Sequence, residues 1–302
     1  LKVTAGSPGG FQEDGEAGAD ALRRKVFTVP ETWFKVVLYN DALFRFREKV
    51  SVKCGGKSLY PQTHVYFAGF ILGKQGDPVT LGSILPDMLT GGGFDHAEAH
   101  SKGAEIFKFL KRQQSLADFG KAVLTHGFEP KGLDYYGDEK YLDFEKGYCF
   151  EKARPFISKT VEYCNIPSGM GWWKAHNIIE MGVELLIGSA GYYYELIKSA
   201  FTNRDLVSDV DEALRCLWKD SDFRLARRVE KFAGFIVLEK PSAESLAEKY
   251  GLQMYFKHRV EIDTKKVARL IEKAAESVDG DVHEFFGNAA SMVGSNIEGL
   301  VG

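Results

Sequence analysis

Five of the seven histidines in the chain, His64, His96, His100, His126 and His176, fall between positions 64 and 184. They are interleaved with Asp87, Glu129, Asp134, Glu180 and Glu184. Each lies at or near the end of an apolar segment. Imidazoles and carboxylates converging from several segments form the donor set of a zinc site, one able to hold more than one ion. His96 and His100 are four residues apart and share a helix face. His126 continues the stripe Leu116, Phe119, Val123, which turns it inward at the end of a helix. His176, Glu180 and Glu184 make one row down a segment whose other positions include Ile178, Ile179, Val183, Leu186 and Ile187. A carboxylate on such a buried face needs a partner. A bound divalent cation lowers the pKa of water from about 15.7 to about 7, and a nearby carboxylate can orient or deprotonate that water. A lone buried histidine is more often a satisfied core residue, and His258 and His283, isolated among charged residues, are read that way.

The elements that must position these groups are mostly helical. Residues 64–73 read as a buried helix that follows Pro61-Gln62-Thr63, with Thr63 as N-cap. The apolar run from Leu81 is bent by Pro86 directly before Asp87, and a glycine turn follows at 91–93. One helix runs from His96 to Leu110, and another from Ser115 toward His126. Residues 127–146 form a polar, tyrosine-rich loop. A helix with Pro155 in its first turn extends to Cys164, and the clearest helix spans Trp172 to about Ile187. Further helices are expected over Tyr192–Phe201 and Asp209–Leu217. Another runs from Ser242 to Gly251, with Ser242 as cap and Gly251 as stop, and a last one follows an Asp263 cap. The Gly/Ser-punctuated tail 287–302 is expected to fray. Before position 60, a short helix after Pro30 and a strand or turn over 49–60 are expected. The fold class is therefore mainly α, multi-helical, with a few short strands near the N-terminus. The chain divides into a lead-in at 1–20 and one α-helical metal-site domain over 21–302.

Composition sets the outer bounds. A chain of 302 residues with 44% hydrophobic and 27% charged residues can bury a substantial core. The abundant Phe and Tyr are expected chiefly in that core. A net charge of −3 without a basic run gives no nucleic-acid patch. No apolar run of about 18 residues suggests a transmembrane segment. Residues 1–20, rich in Gly, Asp and Glu, lack the apolar core of a signal peptide and read as disordered. The four cysteines have no C-x-x-C spacing, so free thiols are expected, with neither a zinc knuckle nor a disulfide framework. These features lean toward a cytoplasmic location.

Pro61-x-Thr63-His64 before an apolar helix, followed by Leu81-Gly82-Ser83-Ile84-Leu85-Pro86-Asp87, resembles the opening of the bacterial zinc-dependent phospholipase C family. That family shares its helical fold and trinuclear zinc site with the fungal zinc single-strand nucleases. A later helical histidine, Leu124-Thr125-His126 and His176-x-x-x-Glu180 follow in the family's order. The family-like core covers about 60–190, with a helical C-terminal part over 190–302. The resemblance implies zinc ligands at His64, Asp87, His100 (with His96 as substitute), His126, His176 and Glu180. It implies Asp87 as general base for a metal-activated hydroxide attacking a phosphate ester. The family also carries a second Asp and a further His soon after the His126 position. Pro130 and Tyr136 stand there in this chain, so Asp134 or Glu129 would serve instead, and Glu184 is a further secondary candidate. His64 lies far from Leu1, so the family's terminal-amine ligand is not expected. One or two zinc ions are therefore expected rather than three, with Mn²⁺ or Fe²⁺ also compatible with the donors. The expected activity is a phosphoesterase on a small-molecule or lipid phosphate ester. The competing reading is a non-catalytic helical protein that keeps a degenerate metal site for stability or ligand binding. An HD-type phosphohydrolase is disfavoured because the chain has no His-Asp dipeptide.

Overall fold

The structure is a computed structural model that describes residues 60–301 apart from 91, 220 and 221. All described residues belong to one compact unit. The lead-in, the helix after Pro30, most of the 49–60 segment and Cys54 lie outside the described residues.

The described residues are mainly α-helical, and among them the only β pairing is an isolated bridge between Thr90 and Phe94. In order, the helices are α1 (Pro61–Leu72), α2 (Asp77–Ser83), α3 (Leu85–Leu89), α4 (His96–Ser101), α5 (Gly103–Leu110), α6 (Ala117–Val123), α7 (Tyr148–Lys152) and α8 (Ile157–Tyr163). They continue as α9 (Gly171–Gly188), α10 (Tyr193–Thr202), α11 (Arg204–Leu217), α12 (Leu225–Ala233), α13 (Ala243–His258), α14 (Thr264–Val278) and α15 (Val282–Val301). No helix among the described residues is long and apolar enough to cross a membrane.

Apolar side chains sort these helices into two main cores. One gathers around α9 and draws on Ile178, Ile179, Tyr250, Ile271 and Phe286. The other gathers Leu81, Leu85, Phe119, Val210 and Phe232 from α2, α3, α6, α11 and α12. Helix α1 contributes to both, with Phe67 in the first and Val65 in the second. The histidine-bearing start of α1 thus stands at the seam between the cores.

Close helix approaches depend on glycine at two crossings. A Cβ on Gly182 of α9 would lie 2.7 Å from the backbone nitrogen of Ala275 on α14. A Cβ on Gly82 of α2 would lie 2.3 Å from the carbonyl oxygen of Phe119 on α6. In both cases the obstacle is backbone, which cannot swing aside as a side chain can.

Several sequence expectations are corrected. Thr63 is not an N-cap: α1 starts at Pro61, and Thr63 sits inside its first turn. The helix expected from His96 to Leu110 breaks into α4 and α5 at Lys102. Gly251 does not stop its helix: α13 continues to His258, and a Cβ at 251 would meet Thr264 and Ile262 only at ordinary contact distance. The left-handed turn comes at Arg259, with φ of 57°. The capping roles of Ser242 and Asp263 are as expected, each side chain accepting a backbone N–H in the first turn.

The tail does not fray. Residues 282–301 form α15, with Phe285, Phe286, Ala289, Val293 and Ile297 buried at three- and four-residue steps. Gly287, Gly294 and Gly299 face open space, so each costs about 1 kcal/mol in propensity without a packing defect. The buried stripe outweighs that cost. Asn288 Nδ2 donates to Tyr141 Oη at 3.0 Å, and Asn296 Nδ2 donates to Lys131 O and Tyr136 Oη, each at 2.9 Å.

Gly182→Ala is expected to lower stability by about 1–3 kcal/mol through overpacking at the α9–α14 crossing. Urea unfolding should show a lower midpoint at unchanged slope. An unchanged midpoint would mean that this contact is looser than described.

Candidate metal centre

Asp87, His100, His126 and Asp134 come from four segments that the backbone ties together. Asp87 lies in the first turn of α3 and His100 near the end of α4. His126 follows α6, and the chain then doubles back. Gly132 N donates to Gly127 O at 2.8 Å, Leu133 N to Thr125 O at 2.9 Å and Asp134 N to His126 O at 2.9 Å. This return sets Asp134 beside His126. Gly127 and Gly132 make it possible: a Cβ on Gly127 would lie 2.1 Å from His100 O, and one on Gly132 2.6 Å from the carbonyl carbon of His126. Phe128 N also donates to His100 O at 2.7 Å, joining the return to α4.

Backbone carbonyls fix the histidine rings. His126 Nδ1 donates to Ser83 O at 2.5 Å, and His100 Nδ1 to His96 O at 2.9 Å. With Nδ1 held by a carbonyl, the Nε2 of each ring is the atom turned toward the carboxylates, the orientation found for metal-bound histidines. His100 Nε2 and His126 Nε2 each lie 3.2 Å from Asp134 Oδ2, while His64 Nε2 lies 3.3 Å from Asp134 Oδ1. Asp87 Oδ1 is 3.5 Å from His100 Nε2 and 3.8 Å from His126 Nε2. The His64 and His126 rings stack with centroids 3.8 Å apart.

These groups are close without being aligned to one another as donors and acceptors. Both Asp87 oxygens and the Nε2 atoms of His100 and His126 are buried and make no hydrogen bond. Buried polar atoms are rarely left so. A shared cation is the species that satisfies several lone pairs at once. The donor atoms of His64, Asp87 and His126 lie within 4.8 Å of one another, as do those of His100, His126 and Asp134.

A further group, Asp138, His176 and Glu180, meets the same criterion. Asp138 sits in a π-helical turn over Tyr135–Glu139, while His176 and Glu180 lie on α9. His176 Nε2 and Glu180 Oε2 are 3.9 Å apart. Asn177 Nδ2 lies 2.9 Å from Glu180 Oε2 and 3.1 Å from His176 Nε2, bracing both. A cavity of about 40 Å³ adjoins the groups, lined among others by Tyr60, Thr63, His64, Asp134, Asp138, Cys149, Glu180, Phe285 and Phe286. It suits ions and a few waters.

The electrostatics run the same way. Burial would raise the Asp134 carboxyl, but His126, His64 and His100 outweigh it and hold it well below the usual carboxylate range. Burial and the neighbouring His126 push His64 down to about 4. Burial would also lower His100, yet Asp134 and Asp87 lift it to about 10. Without a cation, the proton at the centre therefore rests on His100. Burial, followed by repulsion from Asp138, raises Glu180 well above its ordinary value. A cation relieves that repulsion.

Of the residues singled out in the sequence, His64, Asp87, His100, His126, Asp134, His176 and Glu180 fall within these three groups. His96, Glu129 and Glu184 do not. Glu129 is exposed, and His96 stacks on His100 with ring centroids 4.0 Å apart. Glu184 is a helix cap: its carboxylate accepts from Gln62 N at 3.0 Å, Thr63 N at 2.8 Å and Thr63 Oγ1 at 2.7 Å. It thereby satisfies the otherwise unpaired N–H groups at the start of α1 and anchors the helix that carries His64. Burial lifts Glu184 to about 7 against the pull of these donors. Asp138 is not marked by the family's positions after His126, which end at Tyr136, and it lies in a π-helical turn. Among the described cysteines, Cys149, Cys164 and Cys216 are free, as expected.

No protein-family model, curated protein or solved structure matches this chain.

Two outcomes are expected. Zn²⁺ titration should release on the order of one proton as the metal displaces it from the centre, read by calorimetry in buffers of different ionisation enthalpy. His126→Ala, which removes a donor shared by two groups, should weaken binding at least about tenfold, since even outer-shell changes cost 10–100-fold. Separately, Glu184→Ala strands three donors and should lower stability by about 1–3 kcal/mol or more. A melting temperature equal to that of the unmodified protein would remove the capping role.

Proposed function

We propose that the chain is a metal-dependent hydrolase of phosphate esters, of the zinc-dependent phospholipase C type. The observation that carries this reading is the placement of Asp134, whose two oxygens lie among three imidazoles from separate segments. A carboxylate so placed is suited to holding a metal ion together with those imidazoles. Asp138, two positions beyond Tyr136, adds an acid to a second donor group with His176 and Glu180 and supports this reading.

His64, Asp87, His100, His126 and Asp134 would hold one ion, and Asp138, His176 and Glu180 another. Imidazole and carboxylate donors suit Zn²⁺, with Mn²⁺ and Fe²⁺ also compatible. Bound divalent ions supply Lewis-acid polarisation of a phosphoryl oxygen and a lowered pKa for water. The protein supplies position. Carbonyl-locked imidazoles hold their lone pairs on the centre, and Asn177 braces Glu180 and His176. A proton acceptor must come within reach of the proton it takes. The Asp87 side chain is wholly buried, whereas Asp134, Asp138 and Glu180 line the cavity. We therefore assign Asp87 to holding the ion and proton acceptance to a carboxylate of the cavity wall. The substrate is a small-molecule or lipid phosphate ester.

The test uses Zn²⁺-loaded protein with an aryl phosphodiester, an aryl phosphomonoester and phosphatidylcholine. Turnover of at least one is expected, with Asp138→Ala and Asp134→Asn each lowering kcat/KM by about 10²–10⁴. Asp87→Asn should lose metal and activity together. Full metal content without turnover of any substrate would overturn the hydrolase reading and leave a binding or stabilising metal site.

A further inference from the structure

Asp87 stands on an unusually slight support. Helix α3 has only five residues and no side-chain N-cap hydrogen bond. The Asp87 carboxylate makes no hydrogen bond that could orient it. Apart from the approaches of His100 Nε2 at 3.5 Å and His126 Nε2 at 3.8 Å, its direction is set by the backbone of its own turn, and the far end of that turn is gripped by Arg228. From α12, Arg228 donates through Nε to Met88 O at 2.6 Å and through Nη2 to Thr90 O. The Thr90 hydroxyl donates back to Pro86 O at 3.3 Å. The carbonyls after the last turn of a helix have no partner within it. A guanidinium meets two of them with a rigid, planar fork, which fixes both carbonyls relative to each other. Arg228 is half-buried and also lines an outer groove with Trp218, Lys219, Asp222 and Arg227.

We infer that Arg228 is a positioning residue for Asp87, setting the aim of its carboxylate at the metal centre by clamping the end of α3. This rests on the metal-site reading above and adds to it a residue remote in sequence from every candidate ligand.

The experiment measures Co²⁺ affinity and the visible absorption of bound Co²⁺ on the full chain. Four proteins are compared: unmodified, Arg228→Ala, Asp87→Ala and the double variant. Arg228→Ala is expected to weaken Co²⁺ binding at one site by about 10–100-fold, the range for outer-shell partners, and to alter its absorption. In the Asp87→Ala background the same substitution should change neither, because the residue it positions is gone. An unchanged affinity and spectrum in Arg228→Ala, or an equal loss in both backgrounds, would overturn the assignment of Arg228 while leaving the metal site standing. Absence of Co²⁺ binding by the unmodified protein would instead overturn the metal reading and this inference with it. If circular dichroism shows Arg228→Ala unfolded, Arg228→Gln, which keeps one donor arm, carries the same comparisons.

Discussion

Burying imidazoles and carboxylates together is the constraint to which the rest of the structure answers. An isolated buried charge is strongly unfavourable, and His64, His100, His126, Asp87 and His176 are all nearly inaccessible. They are tolerated because they converge at the seam between two apolar cores, where opposite charges and lone pairs meet at one place. Asp134 is the hinge of that balance. The imidazoles around it outweigh its burial and hold its carboxyl well below the usual range, while Asp134 and Asp87 in turn lift His100. The cores on either side then serve a second purpose: they exclude water, so that each of these attractions acts in a low dielectric.

Rigidity at the seam comes from outside the donor set. Ser83 and His96 fix the imidazole tautomers with backbone carbonyls. Glu184 closes the start of α1, and Gly127 and Gly132 allow the return that delivers Asp134. Each of these acts on or through the backbone, and none contributes an atom to the centre.

The helical fold and much of the site were legible in the sequence because both rest on helix periodicity. The stripe ending at His126 and the His176–Glu180 pair follow directly from three- and four-residue steps. Glu184 misled for a geometric reason. Steps of four residues drift by about 40° each on a helix of 3.6 residues per turn, so the third member of the row turns away to meet α1. Thr63 misled in turn, because its cap comes from a residue far along the chain. Asp138 sits in a π-helical turn, whose spacing no ordinary helical template marks. The glycines of 287–299 suggested fraying, yet they fall on the open side of a helix held by its buried face.

That last helix also bears on how the centre is assembled. Phe285 and Phe286 of α15 line the cavity beside Asp134, Asp138 and Glu180, and Asn288 and Asn296 clasp the tyrosines of the segment that carries both aspartates. Every candidate ligand therefore precedes, in order of synthesis, the element that walls in the centre. A chain still emerging from the ribosome would present its histidines and acids with one side open. Closure is a long-range event that waits on residues about a hundred positions downstream.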